Sequence, residues 1–293
     1  MRWIQWTLPF VLMSSLVLAQ DLRPCQVGKL DPAPASPPNI SDDPGTTDPQ
    51  CWEINNTFSF DHATNPDGSH SDFEDFALDM NYGIKPGVQA KMVIHYDSQS
   101  VPGLDTQASA FGRIEVGVKQ QLYNNEQKQL TIAWFPTIDF MTPGSAAVRH
   151  GLPDTGTNLT LPILVSKRYG PVALVSNAGV ILSLSDPSKP AQALMSFGAG
   201  MNVTDSTIVT GEVYRTSAFN LQDQATTGVV VGMTTKVSNN ALLYMSLGKT
   251  VGATADGSAH FYALTGIKVL FGKGSASPQD VQINFKRRAS TDN

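Results

Sequence analysis

Between residues 52 and 271 the chain alternates apolar and polar residues in one segment after another, and this period of two limits the fold more than any other feature. The stretch "FALDMNYGIKPGVQAKMVIHY" (76–96) shows the pattern. Phe76, Leu78, Met80 and Tyr82, then Val88, Ala90, Met92, Ile94 and Tyr96, flank a Lys-Pro-Gly turn, which predicts a hairpin with one apolar face. Such a face needs a partner. In a soluble sandwich the partner is a second sheet, and the polar face, with Asp79, Asn81, Gln89, Lys91 and His95, meets water. In an outer-membrane barrel the partner is lipid, and the polar face lines the interior. Alternation alone does not choose.

The spacing of the segments does more. Strands are expected at 52–60, 74–84, 87–97, 108–122, 129–141, 158–168, 171–183, 191–203, 207–218, 227–237, 241–249 and 259–271, an even number. Longer connections follow the odd members of this series, such as "DHATNPDGSHSDF" and "TPGSAAVRHGLPDTGT". Mostly tight ones follow the even members, such as "KPG", "YGP", "TDS" and "SNN". A chain that inserts from the periplasm makes short turns on one rim and longer loops on the other, whereas a Greek-key sandwich has no reason to sort loop length by strand parity. Many segments reach about ten residues, the length a tilted strand needs to cross a bilayer. Trp52, Phe60, Tyr82, Tyr96, Phe111, Tyr169 and Phe271 lie near strand ends, where aromatic rings favour the headgroup level. The expected fold is all-β: an up-and-down antiparallel transmembrane β-barrel of about twelve strands.

The N-terminus, "MRWIQWTLPFVLMSSLVLAQ", has one basic residue, an apolar run and small residues before Gln20, so residues 1–19 read as a cleaved export signal. No later run approaches 18 apolar residues, which leaves a closed barrel as the way the mature chain could span a membrane. Residues 20–50, rich in Pro, Asp, Ser and Thr, read as an irregular leader. The barrel is expected over 51–272 and a polar tail over 273–293, in which Asp280 to Phe285 could add a strand. Cys25 and Cys51 bracket the leader. Export to an oxidising compartment allows a disulfide between them, with two free thiols as the alternative.

Only 15% of residues are charged, against roughly 25% in an average soluble protein, and the net charge of -5 carries no basic stripe, so nucleic acid is not an expected partner. Outer-membrane lipid and a small-molecule solute are; the oligomeric state is open. No cofactor is expected. No metal site is expected either, since the two cysteines have no His at ligand spacing. Catalytic signatures are weak. There is no Gly-x-Ser-x-Gly or His-Glu-x-x-His motif, and the local Ser/His pairs, His95 with Ser98 or Ser100 and His260 with Ser258, are of a kind that occurs by accident.

With apolar residues outward, alternation sends Glu53, Asp79, Lys91, His95, Arg113, Glu115, Lys119, Asp139, Arg168, Glu212, Lys236, His260 and Lys268 toward the lumen. Charges of both signs can pair across and fill the narrow bore of a twelve-stranded barrel, which a tucked-in leader could also obstruct, or a subset can line a selective path. Arg113, Glu115 and Lys119, on one face around Gly117, which is expected to open space, are the first choice for a constriction.

"FGRIEVGVKQQLY" (111–123), "LTIAWFPTIDFMTPGS", "LPILVSKRYGPVALVSNAGV" (161–180), "IVTGEVYR" (208–215) and "TTGVVVGMTTKVSNNALLYMSLGKT" (226–250), in this order and spacing, resemble the bacterial outer-membrane family labelled "putative MetA-pathway of phenol degradation". The resemblance covers residues 75–271 and implies a porin-like transport barrel in the cell outer membrane, passing small, aromatic or hydrophobic, solutes by passive or facilitated diffusion. It implies no catalytic residues. The Pro-rich leader with two cysteines and the extension past Phe271 depart from the family pattern. Two other readings stay open: an exported soluble or surface β-sandwich that binds a ligand, and a barrel enzyme acting on lipid.

Overall fold

The computed structural model describes residues 22–28, 30–100, 107–141, 156–218, 225–252, 254 and 257–275. The proposed signal (1–19) and the candidate strand at 280–285 lie outside them. Among the described residues every regular element is a β-strand: β1 (Leu22–Pro24), β2 (Cys51–Thr64), β3 (His70–Lys85), β4 (Val88–Ser100), β5 (Gln107–Asn125), β6 (Leu130–Trp134), β7 (Thr137–Met141), β8 (Asn158–Tyr169), β9 (Val172–Ser183), β10 (Gln192–Thr204), β11 (Thr207–Ala218), β12 (Thr226–Lys236), β13 (Ala241–Thr250) and β14 (Ala259–Ser275).

Neighbours in sequence pair antiparallel around a single sheet, and β14 pairs with β2 from Ala259↔Thr64 to Gly272↔Cys51. That last pairing closes the sheet, so among the described residues each of the long strands has a neighbour on both sides, while the short β1 adds only to the end of β14. β6 and β7 are two halves of one stave. Both pair with β5 on one side and β8 on the other, and the break falls at Phe135 and Pro136. Pro136 has no N–H to give the ladder, but its carbonyl still accepts from Val118 N at 3.2 Å, and Phe135 N donates to Pro162 O at 3.2 Å. Counting that pair as one stave, the barrel has the twelve strands that alternation and loop parity predict.

Observed strands are mostly longer than expected, because the sequence pattern marks only the part that needs an apolar face. Beyond it the ladder continues into the loops, as in β2, which runs to Thr64 rather than residue 60. At the opposite rim tight turns join the strands, with Gly87 (φ 73°) and Gly170 (φ 61°) in the left-handed region that glycine tolerates.

Outward-facing side chains around the middle of the barrel are mostly apolar. Phe76, Met195, Val231 and Leu247 are each more than half exposed on the outer face, with Met92, Phe197, Val213 and Met245 among them. A soluble protein seldom shows so continuous an apolar belt. At the turn rim Trp52 lies 4.8 Å from Tyr82 and 6.3 Å from Phe271, ring centroid to centroid, and at the loop side Tyr96 meets Phe111 edge-on at 5.2 Å. These are the two aromatic girdles of a membrane barrel. Phe111 and Arg113 share parity yet face opposite ways, because a β-bulge between the Ile94↔Ile114 and Tyr96↔Phe111 pairings resets the alternation at Gly112.

Candidate functional site: the lumen and its leader

Inward positions carry the polar half of the alternation, and at the turn end the leader fills the space between them. Cys25 and Cys51 form a disulfide, with Cα atoms 5.8 Å apart, that ties the leader into a loop based at the turn rim. From Cys25, whose N–H donates to Gly272 O (3.1 Å), the chain passes the β12–β13 turn, where Val27 N donates to Asn239 O and Lys236 Nζ to Val27 O (2.7 Å). Val27 and Leu30 bury themselves against Ile208 and Leu242. The leader then climbs the β10–β13 wall. Ser246 Oγ donates to Pro38 O (2.8 Å), Thr210 Oγ1 to Asn39 Oδ1 (3.0 Å), and the Ile40 and Ser41 N–H groups donate to the Glu212 carboxylate, each at 2.9 Å.

Next it crosses the bore to β5, where Lys119 Nζ lies 2.9 Å from Asp42 Oδ2 and donates to Asp43 O. It descends past Gln121, which donates to Pro44 O, and Gln89, which accepts from Thr47 N, to reach Cys51. Two glycines permit this path. A Cβ on Gly200 would lie 1.9 Å from Pro32 O, and one on Gly83 would lie 2.0 Å from Asp48 O. A buried ion is tolerated when charge or hydrogen bonds answer it, and Glu212 and Lys119 meet that condition through the leader. Within this loop Asp43 is pushed up to about 7 by burial, with the Asp42 and Asp31 carboxylates adding to the shift and Lys119 opposing it. Asp42, despite the same burial, is held below the ordinary carboxylate range by the ammonium groups of Lys119 and Lys91.

The remaining residues singled out in the sequence fall into three places. Lys268 pairs with Glu53 at 2.9 Å beside the leader, and Arg168 with the leader's Asp31 at 2.5 Å. In mid-barrel Asp79 accepts from Asn55 (3.1 Å) and Asn81 (2.9 Å) and lies 4.0 Å from Lys91, which pairs with Glu115 at 3.3 Å. The Phe135 ring lies 5.5 Å from Lys91 Nζ and 5.0 Å from Lys119 Nζ, within cation–π range of both. At the loop end His95, Arg113, Glu115 and Asp139 line a cavity of about 360 Å³ with Asn158 and Lys189, and Arg113 lies 3.7 Å from Asp139.

Arg113, Glu115 and Lys119 therefore share a strand face but not an environment: Lys119 belongs to the leader, the other two to the loop-side cavity. Gly117 leaves no gap, because a Cβ there would meet Thr137 Cγ2 at 2.7 Å and Pro136 O at 3.0 Å. The broken stave fills the space that the sequence suggests is open.

Sequence reasoning passed over the leader's own contacts, since nothing in a Pro-rich segment marks Asn39, Ser41, Asp42 or Asp43 as lumenal. It also passed over Asp75 and Asp97, whose parity with His95 was a usable signal. His95 Nδ1 lies 2.9 Å from Asp75 Oδ2, and Asp61 makes the equivalent contact with His260 at 3.0 Å. Of the serines considered for catalysis, Ser98 Oγ accepts from Ser109 and Ser258 Oγ donates to Asn65.

A closed twelve-stranded barrel, apolar outside and polar within, is the fold of outer-membrane channels. Comparison with solved structures agrees. A Pseudomonas putida F1 outer-membrane channel superposes with a TM-score of 0.64 at 14% identity, over 80% of this chain and 100% of that one. The NanC porin matches at 0.53 and 10% identity, over 74% and 98% of the two chains. The KdgM porin, in complex with disordered oligogalacturonate, matches at 0.51 and 8%, with the same coverage. Neither a protein-family model nor a curated relative matches the sequence. The outer-membrane barrel that the family resemblance implies is thus the fold found.

Proposed function

We propose that this chain is an outer-membrane channel through which small solutes cross by diffusion, without catalysis or cofactor. One observation carries the reading: the sheet closes on itself with its apolar residues outward and its charged residues inward. A sandwich would have buried the apolar face against protein, and the comparison barrels are channels and porins rather than enzymes.

Solutes enter the loop-side cavity, whose Arg113, Glu115, Asp139 and Asn158 offer both charge signs and hydrogen-bonding groups. The leader then narrows the path toward the turn rim. These walls favour a small polar solute over the aromatic class that the family resemblance implies. Reconstitution of the full-length protein tests the proposal. Purified protein should need detergent for solubility, should migrate faster on gels before heating than after, and should give a small conductance in planar bilayers whose ion preference shifts with Lys119→Glu. Liposome uptake should be faster for a small polar solute than for a phenol of similar size, and the reverse order would return the assignment to aromatic solutes. A chain that stays soluble without detergent would overturn the channel reading.

A further inference from the structure

Inside the loop-side half of the barrel, β3 and β4 place two carboxylates face to face. Asp75 and Asp97 are direct partners in the antiparallel register, and His95 stands two residues along on the same lumenal face. Like charges directly opposite each other on a sheet repel, and the group in contact with this pair is the His95 imidazole, 2.9 Å from Asp75. Asp97 is only 8% exposed. Its carboxyl shares the lumenal face with that of Asp75, its direct partner across the β3–β4 ladder. The nearest guanidinium, Arg113, lies 3.7 Å from a different carboxylate, Asp139. Ser59 and Ala110, the register partners of Asp75 and Asp97 on the flanking strands, bring no charge. Room for the Asp97 carboxylate comes from the bulge at Gly112, where a Cβ would lie 1.7 Å from Asp97 Oδ2.

We propose that Asp75, His95 and Asp97 form a binding site for a divalent first-row transition-metal ion such as Zn²⁺. Their ligand atoms, one from each residue, lie within 4.8 Å of one another. A tetrahedral ion with bonds of about 2.1 Å needs ligands roughly 3.4 Å apart, so modest side-chain rotation closes the set. One imidazole nitrogen with two carboxylate oxygens suits Zn²⁺, Mn²⁺ or Co²⁺, whereas Ca²⁺ seeks six to eight oxygens. The ion adds positive charge between the facing carboxylates and takes up the His95 ring nitrogen that otherwise faces Asp75. Three protein ligands leave at least one coordination position open to the lumen, where water or an anionic group of a passing solute can bind. The site requires only that the barrel be folded and does not depend on the channel conducting.

The test is titration of ZnCl₂ into the full-length, detergent-solubilised protein after chelator treatment, followed by calorimetry. The expected result is one site per chain, weakened about tenfold or more in His95→Ala and in Asp97→Asn and unchanged in His260→Ala and His62→Ala. Those controls remove the other lumenal His–Asp pair and the stacked His62/His70 pair at 5.0 Å. Heat-modifiable migration of each variant establishes that the barrel has formed. Substitution with Cu²⁺ supplies an independent reading, nitrogen hyperfine structure in the paramagnetic resonance spectrum that is present in the wild type and lost in His95→Ala. Absence of a one-to-one site in the wild type, or equal Zn²⁺ affinity in the wild type and in both ligand variants, would overturn the proposal.

Discussion

Asp43 and Val231 show how differently a single side chain is judged on the two faces of this wall. Asp43 is pushed up to about 7 against an ordinary 3.8, so the docked leader holds a proton that a released leader gives up. A raised carboxyl favours the docked state fully below the ordinary value and loses that contribution as pH rises through the raised one. Asp42, held low, works the other way and withdraws its contribution only as pH falls below the ordinary range. Protease resistance of the leader should therefore fall as pH is raised from about 6 to 8, and Asp43→Asn should flatten that dependence. On the outer face Val231, 62% exposed near the middle of β12, sits where acyl chains replace water. Val231→Arg should destabilise the barrel by about 2–4 kcal/mol in a lipid refolding titration. The sequence made Val231 legible, since parity alone sends it outward. It did not make Asp43 legible, because its environment comes from Lys119 and Asp31, 76 and 12 residues away in the chain.

Among the elements, the leader and the broken stave depart most from what the sequence suggests. Periodicity marks residues 129–141 as one strand, and the break at Phe135 and Pro136 appears only in the pairings with β5 and β8. The break turns Phe135 inward to 4% exposure beside Lys91 and Lys119, which fills the space next to Gly117. The leader has no periodicity, so its path was open to sequence reasoning only at its ends, where the two cysteines stand. Its grip on the wall is distributed over Lys236, Glu212, Lys119 and Gln89, and the disulfide keeps both ends at the rim. Loop-closure entropy favours docking of a tethered segment over a free one. The double variant Cys25→Ser, Cys51→Ser should accordingly raise single-channel conductance or its open fraction. Gly200→Ala should do the same with the disulfide intact, since the new Cβ collides with Pro32 O. Bilayer recordings of both, beside the wild type, check the expectation; unchanged currents in both would assign the leader a purely structural role.

At the scale of the molecule, the apolar belt decides what solvates the outside. Spin labels at Met80, Met92 and Val116 in the reconstituted protein should be relaxed by oxygen dissolved among acyl chains and shielded from nickel chelates in buffer. The reverse pattern would mean that protein or water, not lipid, borders β3, β4 and β5. Loop parity had already assigned the rims, and the structure agrees: the turns at Gly87 and Gly170 share one rim, and the long connections leave from the other. All-β composition, strand number and outward face were all determined by the sequence alone, because each follows from a local period, and a period of two survives any arrangement of neighbours. The tertiary structure alone decided which charges meet. The pairing of Asp75 with Asp97, the capture of Lys119 by Asp42, and the seat of Ser41 on Glu212 depend on register, on the bulge at Gly112, and on a leader folded back into the bore. These join residues far apart in the chain, and no local pattern encodes such distances.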